Sequence, residues 1–237
     1  YQEMRITKGL HTRQLSINAN YNNAGEEVGE SRIINIKVAN VGTTGYRIFQ
    51  AGSSYDSHST WKIDLQNLNI SGGSITAHST YQPWDQEGHG GILYVKGAIN
   101  TISLTYVTMQ GAKSTGSGAA IYSNASNSST ITLTTSTIKD NSSQSSGGAI
   151  YNLASQNATI TLQENSVLTN NTAKVTGAGI YNRSVTSTVT IRDSEISNNV
   201  VSSDSNNVYG GGVYNYGSTI ATVNLDHAEI KGNQATV

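Results

Sequence analysis

Residues 147–152 read GGAIYN. The phrase returns as GAGIYN at 177–182 and as GGGVYN at 210–215, and an earlier copy, GAAIYS, stands at 118–123. With the tyrosine as marker, it falls at Tyr94, Tyr122, Tyr151, Tyr181 and Tyr214, in steps of 28, 29, 30 and 33 residues. A fainter copy, GYRIFQ at 45–50, puts Phe49 in the tyrosine's slot. A fixed period of this length is the mark of a repeat architecture, in which one supersecondary unit is written over and over.

A second phrase runs between the copies: apolar-x-apolar, four residues, apolar, two residues, asparagine. It appears as Ile131, Leu133, Ile138, Asn141 and again as Ile160, Leu162, Val167, Asn170. It returns as Val189, Ile191, Ile196, Asn199 and as Val223, Leu225, Ile230, Asn233. Weaker copies are led by Ile102–Leu104, Ile63–Leu65 and Ile34–Ile36. The second apolar position therefore falls at 36, 65, 104, 133, 162, 191 and 225. Apolar residues alternate with Thr, Ser and Asn over short runs, which is the period-2 pattern of strands, and Ser, Asn and Gly fill the gaps as turns require. No segment carries a 3.6-residue stripe. Three short strands and three turns in about 29 residues make one coil of an all-β, right-handed parallel β-helix of roughly seven coils, stacked at the strand spacing of about 4.8 Å. In GGAIYN, Ile150 then points inward and Tyr151 outward, because strand neighbours face opposite ways. Asn141, Asn170, Asn199 and Asn233 stack at one corner, where asparagine tolerates a left-handed backbone and its amide bonds from coil to coil.

Composition agrees with a solenoid. The 237 residues include 24 glycines, one proline and no cysteine, so disulfides, thiolate metal sites and cysteine nucleophiles are excluded. Lys plus Arg is 14 and Asp plus Glu is 15, a formal net charge of -1, which argues against a nucleic-acid partner. Only 12% of residues are charged, about half the usual share. No run of 18 apolar residues offers a spanning helix.

Residues 1–30 carry charge and little periodicity and read as an N-terminal cap or an irregular first coil. Residues 31–237 are the β-helix, and the chain is expected to be a fragment of something longer. Two insertions break the rhythm, at 71–91 and at 202–210. The first holds the only proline together with His78, Tyr81, Trp84, Asp85, Glu87 and His89. Long loops on rigid scaffolds often carry function, so Tyr81, Trp84, Asp85 and Glu87 are candidate binding residues. His78 and His89 match no metal-ligand spacing, and neither a metal nor a cofactor is expected. If the tyrosines face solvent, Tyr94, Tyr122, Tyr151, Tyr181 and Tyr214 form a surface ladder able to bind sugar rings or a protein. The alternative is that the rings stack on one another and stabilise the coil. Sequons at Asn124, Asn157 and Asn182 arise by chance in so Asn- and Ser-rich a chain.

The repeats resemble the polymorphic outer-membrane protein family, whose repeat is marked by GGA[I/L] and F-x-x-N. The first half stands at 147–150, with variants at 118–121, 177–180 and 210–213. The second half has an aliphatic residue for the phenylalanine: Ile138 to Asn141, Val167 to Asn170 or Leu168 to Asn171, Ile196 to Asn199, and Ile230 to Asn233. The likeness covers about residues 90–237. It implies an autotransporter passenger domain at the cell surface or outer membrane, or secreted. Its implied role is adhesion to a host cell-surface protein, extracellular matrix or glycan, with membrane attachment only through a translocator domain elsewhere. An enzyme, either a polysaccharide lyase or a hydrolase, is the competing expectation. Hydrolysis needs two carboxylates flanking the bond, and the acids are sparse and scattered. A plain structural spacer is the third.

Overall fold

The computed structural model describes residues 5–8, 12–18, 34–37, 47–52, 56–76, 88–203 and 208–237, the first three segments as backbone strands only. Among these residues there is no helix. The strands stack in parallel, coil upon coil, as the repeat predicts. On the longest face Thr12–Asn18, Thr60–Ser71, Leu93–Gln110, Ile121–Thr134, Asn157–Gln163, Ile180–Arg192 and Val213–Asp226 run side by side. Leu65, Leu104, Leu133, Leu162, Ile191 and Leu225 share one register rank, and Ile63, Ile102, Ile131, Ile160, Val189 and Val223 share the next. The members of both ranks from Ile63 to Ile191 are fully buried and form the continuous core. A second face is built by short strands such as Thr137–Lys139, Val167–Thr169 and Glu195–Ser197. A third is a narrow six-stranded sheet running from Ser74–Ile75 to Gln234–Thr236.

Five successive turns, each with one tyrosine of the phrase, are regular. The N-terminal strands are less so, which is why the regular count falls below the roughly seven coils expected. The first slot of the series, Ile36, also moves. Ile34 and Ile36 pair with Leu68 and Ile70, whereas Leu15 and Ile17 take the ranks of Ile63 and Leu65. The coil at 60–71 holds two apolar-x-apolar pairs, 63/65 and 68/70, so an isolated pair in the sequence fits either place. The strand Thr12–Asn18, inside the segment read as a cap, already lies in this parallel ladder, while Arg5–Lys8 pairs with it antiparallel.

One corner decides the ladder register. Gly111, Asp140, Asn170, Asn198 and Gly232 all have a left-handed backbone there, with φ between 53° and 68°. Glycine adopts this freely, and Asn and Asp do so at small cost. The next residue turns inward. The amide ladder is therefore Asn141–Asn171–Asn199–Asn233, and Asn170 stands exposed at the bend instead of stacking. Ile138 pairs with Leu168, which fixes the Leu168–Asn171 reading over Val167–Asn170. The backbone N–H groups of Ala112, Asn141, Asn171 and Asn199 donate to Asn141, Asn171, Asn199 and Asn233 Oδ1 at 2.9, 3.1, 3.0 and 3.0 Å. Each amide thus satisfies a buried donor of the preceding coil that no strand ladder reaches. A hydroxyl ladder does the same at another corner. Val107, Ser136 and Ser166 N–H donate to Ser136, Ser166 and Ser194 Oγ.

The outward positions of the longest face are equally regular. Thr101, Thr130, Thr159, Thr188 and Thr222 form one rank, and Ser103, Thr132, Thr161, Thr190 and Asn224 form the rank beside it. Threonine suits such a place, because its branched Cβ favours the extended backbone and packs against its cross-strand neighbours.

Candidate functional site

The tyrosines of the repeat pair directly: Tyr94 with Tyr122, Tyr122 with Tyr151, Tyr151 with Tyr181, and Tyr181 with Tyr214. Parallel strands bring equivalent side chains to about the strand spacing of 4.8 Å, close to the preferred separation of stacked rings. The ring centroids lie 5.2, 5.1, 4.6 and 5.2 Å apart, with interplanar angles of 13°, 9°, 1° and 17°. The five rings form one pile on the outside of the coil. Its members cover one another: Tyr94 is 1%, Tyr122 4% and Tyr181 8% exposed. A sugar cannot lie on the face of an inner ring, since both faces are already in contact with neighbours. Burial, with further help from Tyr181 and Tyr122, pushes the Tyr151 phenol well above its ordinary range.

Phe49 does not join the pile. It pairs with Leu93 and packs against the core, and Gln50 takes the tyrosine slot opposite Tyr94. The faint copy is shifted by one residue, and a one-residue slip moves a side chain to the other face. Here the apolar ring goes inside and the amide outside. The Arg47 guanidinium lies 4.5 Å over the Tyr94 ring at this end.

The far end of the pile is open. Tyr216 lies 6.4 Å and Tyr209 6.3 Å from Tyr214, and they are 44% and 53% exposed. Arg183 sits 5.3 Å over the Tyr216 ring. A hydrogen bond with Tyr181 raises the Arg183 pKa above its ordinary value. Tyr209, Tyr216 and Arg183 escaped the repeat count because they lie outside the repeated phrase. The signal was the run YNYG, since alternation puts Tyr214 and Tyr216 on the same face.

A second amide ladder was also written in the phrase. Asn152, two residues after the inward Ile150, points inward in its turn. Asn152 Nδ2 donates to Asn182 Oδ1, and Asn182 Nδ2 to Asn215 Oδ1, both at 2.9 Å. Asn152 and Asn182 are fully buried, which removes the sequon at Asn182 from reach.

Of the insertion at 71–91, residues 71–76 and 88–91 belong to the coil, for Ser74–Ile75 pairs with Lys113–Ser114. Tyr81, Trp84, Asp85, Glu87 and His78 lie outside the described residues, as do 204–207 of the second insertion. His89 closes the first insertion. Its ring stacks on Tyr122 at 4.3 Å and 2°, and its Nδ1 accepts the Ser117 N–H at 2.6 Å. Burial, reinforced by the positive charges of Arg47 and Lys96, lowers its pKa from 6.5 to about 4. The unfolded chain therefore binds a proton at a pH where the folded one does not. The stability this neutral imidazole contributes is complete above about pH 6.5 and is lost as pH falls toward 4. The urea midpoint should drop between pH 7 and pH 4.5 by more in the wild-type protein than in His89→Gln, which keeps an acceptor for Ser117. Equal drops would remove His89 as the cause.

Among the described residues the acids are held in turns and ion pairs. Asp56 accepts from the backbone N–H groups of His58 and Ser59 and from the Trp61 indole, which fixes a turn. Burial pushes its pKa up, but these hydrogen bonds outweigh that and hold it below its ordinary value. Asp226 pairs with Arg192 at 3.2 Å, and Lys231 bridges Glu229 and Glu195 at 2.9 and 3.5 Å.

The sequence model of the Chlamydia polymorphic membrane protein repeat matches residues 135–153. The matched stretch, TSTIKDNSSQSSGGAIYNL, contains the bend at Asp140, the ladder residues Asn141 and Asn152, and Tyr151 of the pile. The chain thus carries a polymorphic membrane protein-type repeat folded as turns of a parallel β-solenoid. No curated protein and no solved structure matches the chain.

Proposed function

We propose, from the repeat at 135–153, that this chain is a surface-exposed part of a bacterial envelope or secreted protein, and that it works by binding rather than by catalysis. Proteins of the repeat's name are membrane proteins. No helix among the described residues is long and apolar enough to cross a membrane. The ion pairs at Asp226, Glu195 and Glu229 support a non-catalytic role, since they spend carboxylates on one another's neighbours along the coil edge.

The observation that carries the binding reading is the open end of the tyrosine pile. Tyr209 and Tyr216 are exposed rings beside an exposed guanidinium, Arg183. Aromatic faces suit the apolar side of a sugar ring, and arginine suits a carboxylate or sulfate. The ligand of this reading is an acidic glycan of a host surface or its matrix.

A glycan and matrix-protein array tests this with the wild-type chain, Tyr209→Ala/Tyr216→Ala and a version lacking residues 77–87. Binding to acidic glycans should be lost in the tyrosine variant and kept in the deletion. Loss in the deletion alone would move the site to the loop carrying Tyr81, Trp84, Asp85 and Glu87. No binding to any acidic glycan would end the proposal.

A further inference from the structure

We propose that the outer threonine face of the solenoid binds ice. The face is a two-dimensional array. The ranks led by Thr101 and Ser103 run through five coils, with Thr130, Thr132, Thr159 and Thr161 at the centre. Rows repeat at about 4.8 Å from coil to coil, and the two ranks are about 6.7 Å apart along each strand. Those two distances lie close to the oxygen repeats on a prism face of hexagonal ice.

Three further properties suit a water lattice. The threonine χ1 is stiff, so the hydroxyls stand in a fixed pattern and lose little entropy on contact. A hydroxyl donates and accepts, so it fits either proton orientation at a lattice oxygen, while the methyl beside it needs no hydration. The two ranks carry no ionic group between Thr101 and Asn224. The charges, Lys62, Asp64, Arg192 and Asp226, stand at the array's borders. A neutral array thus meets a neutral lattice.

The same properties count against a protein occupant. Five rows and two ranks span on the order of 300 Å², whereas a stable pairing buries about 800 Å² per partner. The two ranks also offer no aromatic or arginine anchor of the kind that dominates protein interfaces.

Partition of the folded chain into slowly grown ice, with inhibition of ice recrystallisation, tests the proposal. The wild-type chain and Lys139→Ala, on a neighbouring face, should concentrate in the ice. Thr159→Tyr, which raises a ring from the centre of the array, should stay in the liquid with an unchanged melting temperature. If that variant unfolds, Thr132→Lys on the adjacent coil repeats the test. Exclusion of the wild-type chain from ice, or equal partition of a folded variant and the wild type, would overturn the proposal. Neither result bears on glycan binding at Tyr209 and Tyr216.

Discussion

Replacing Asn171 by alanine should cost about 4 kcal/mol, while replacing its neighbour Asn170 by glycine should change stability by less than about 0.5 kcal/mol. Asn171 Oδ1 accepts both the backbone N–H and the side-chain amide of Asn141, at 3.1 and 2.9 Å. Its Nδ2 donates to Ile138 O, Thr169 O and Asn199 Oδ1. Truncation leaves the buried Asn141 N–H without its acceptor and strips several other groups, each at about 1–3 kcal/mol. Asn141, Asn171 and Asn199 are all buried, so the stripped groups lie away from bulk solvent. Asn170 only has to hold φ at 55°, and the chain itself uses glycine at the equivalent positions 111 and 232. Urea melts of the two variants decide the matter. A larger loss from Asn170 than from Asn171 would reverse the ladder register.

The second large effect belongs to Tyr151, the middle of the pile. Tyr151→Ala removes a ring that touches Tyr122 at 5.1 Å and Tyr181 at 4.6 Å. Stacked pairs contribute about 0.5–1.5 kcal/mol each beyond their area, and truncation of a large aromatic leaves a gap, so the loss should be about 3 kcal/mol. Tyr151→Phe keeps both stacks and should lie within about 1 kcal/mol of wild type. Thermal melts of the pair would show it. If Tyr151→Ala melts with the wild type, the pile is not a structural element. Acidic-glycan binding by folded Tyr151→Ala should be intact, because Tyr209 and Tyr216 lie beside Tyr214, at the far end of the pile.

The repeat made the architecture readable because one coil is nearly too short to be anything else. Ile131, Leu133 and Ile138 announce their own directions, and every later coil repeats them. The misplacements have a common cause. Asn170 and Asn171 are adjacent and chemically identical, so only the pairing of Ile138 with Leu168 separates bend from ladder. Phe49 and Gln50, and the pairs at 15/17 and 34/36, were ambiguous because a single weak copy fits two registers equally well. Asn152 was legible by alternation from Ile150. The covering of the tyrosines was not, for a residue that points away from the core reads as exposed. Here its cover comes from the equivalent residue of the next coil, a neighbour that exists only once the coils are stacked.

The corner ladders also bear on how long such a protein can become. Each bond spans a single turn, 30 residues from Asn141 to Asn171 and 28 from Asn171 to Asn199. The strand Asn157–Gln163 pairs only with the strands of the coils before and after it. Sequence separation between partners therefore stays constant as coils are added, and the loop-closure cost that slows folding does not grow with it. Duplicating one coil in the gene adds a unit that brings its own amide, hydroxyl and ring to the stack. Length becomes a property that can be lengthened or trimmed by recombination without redesigning the rest.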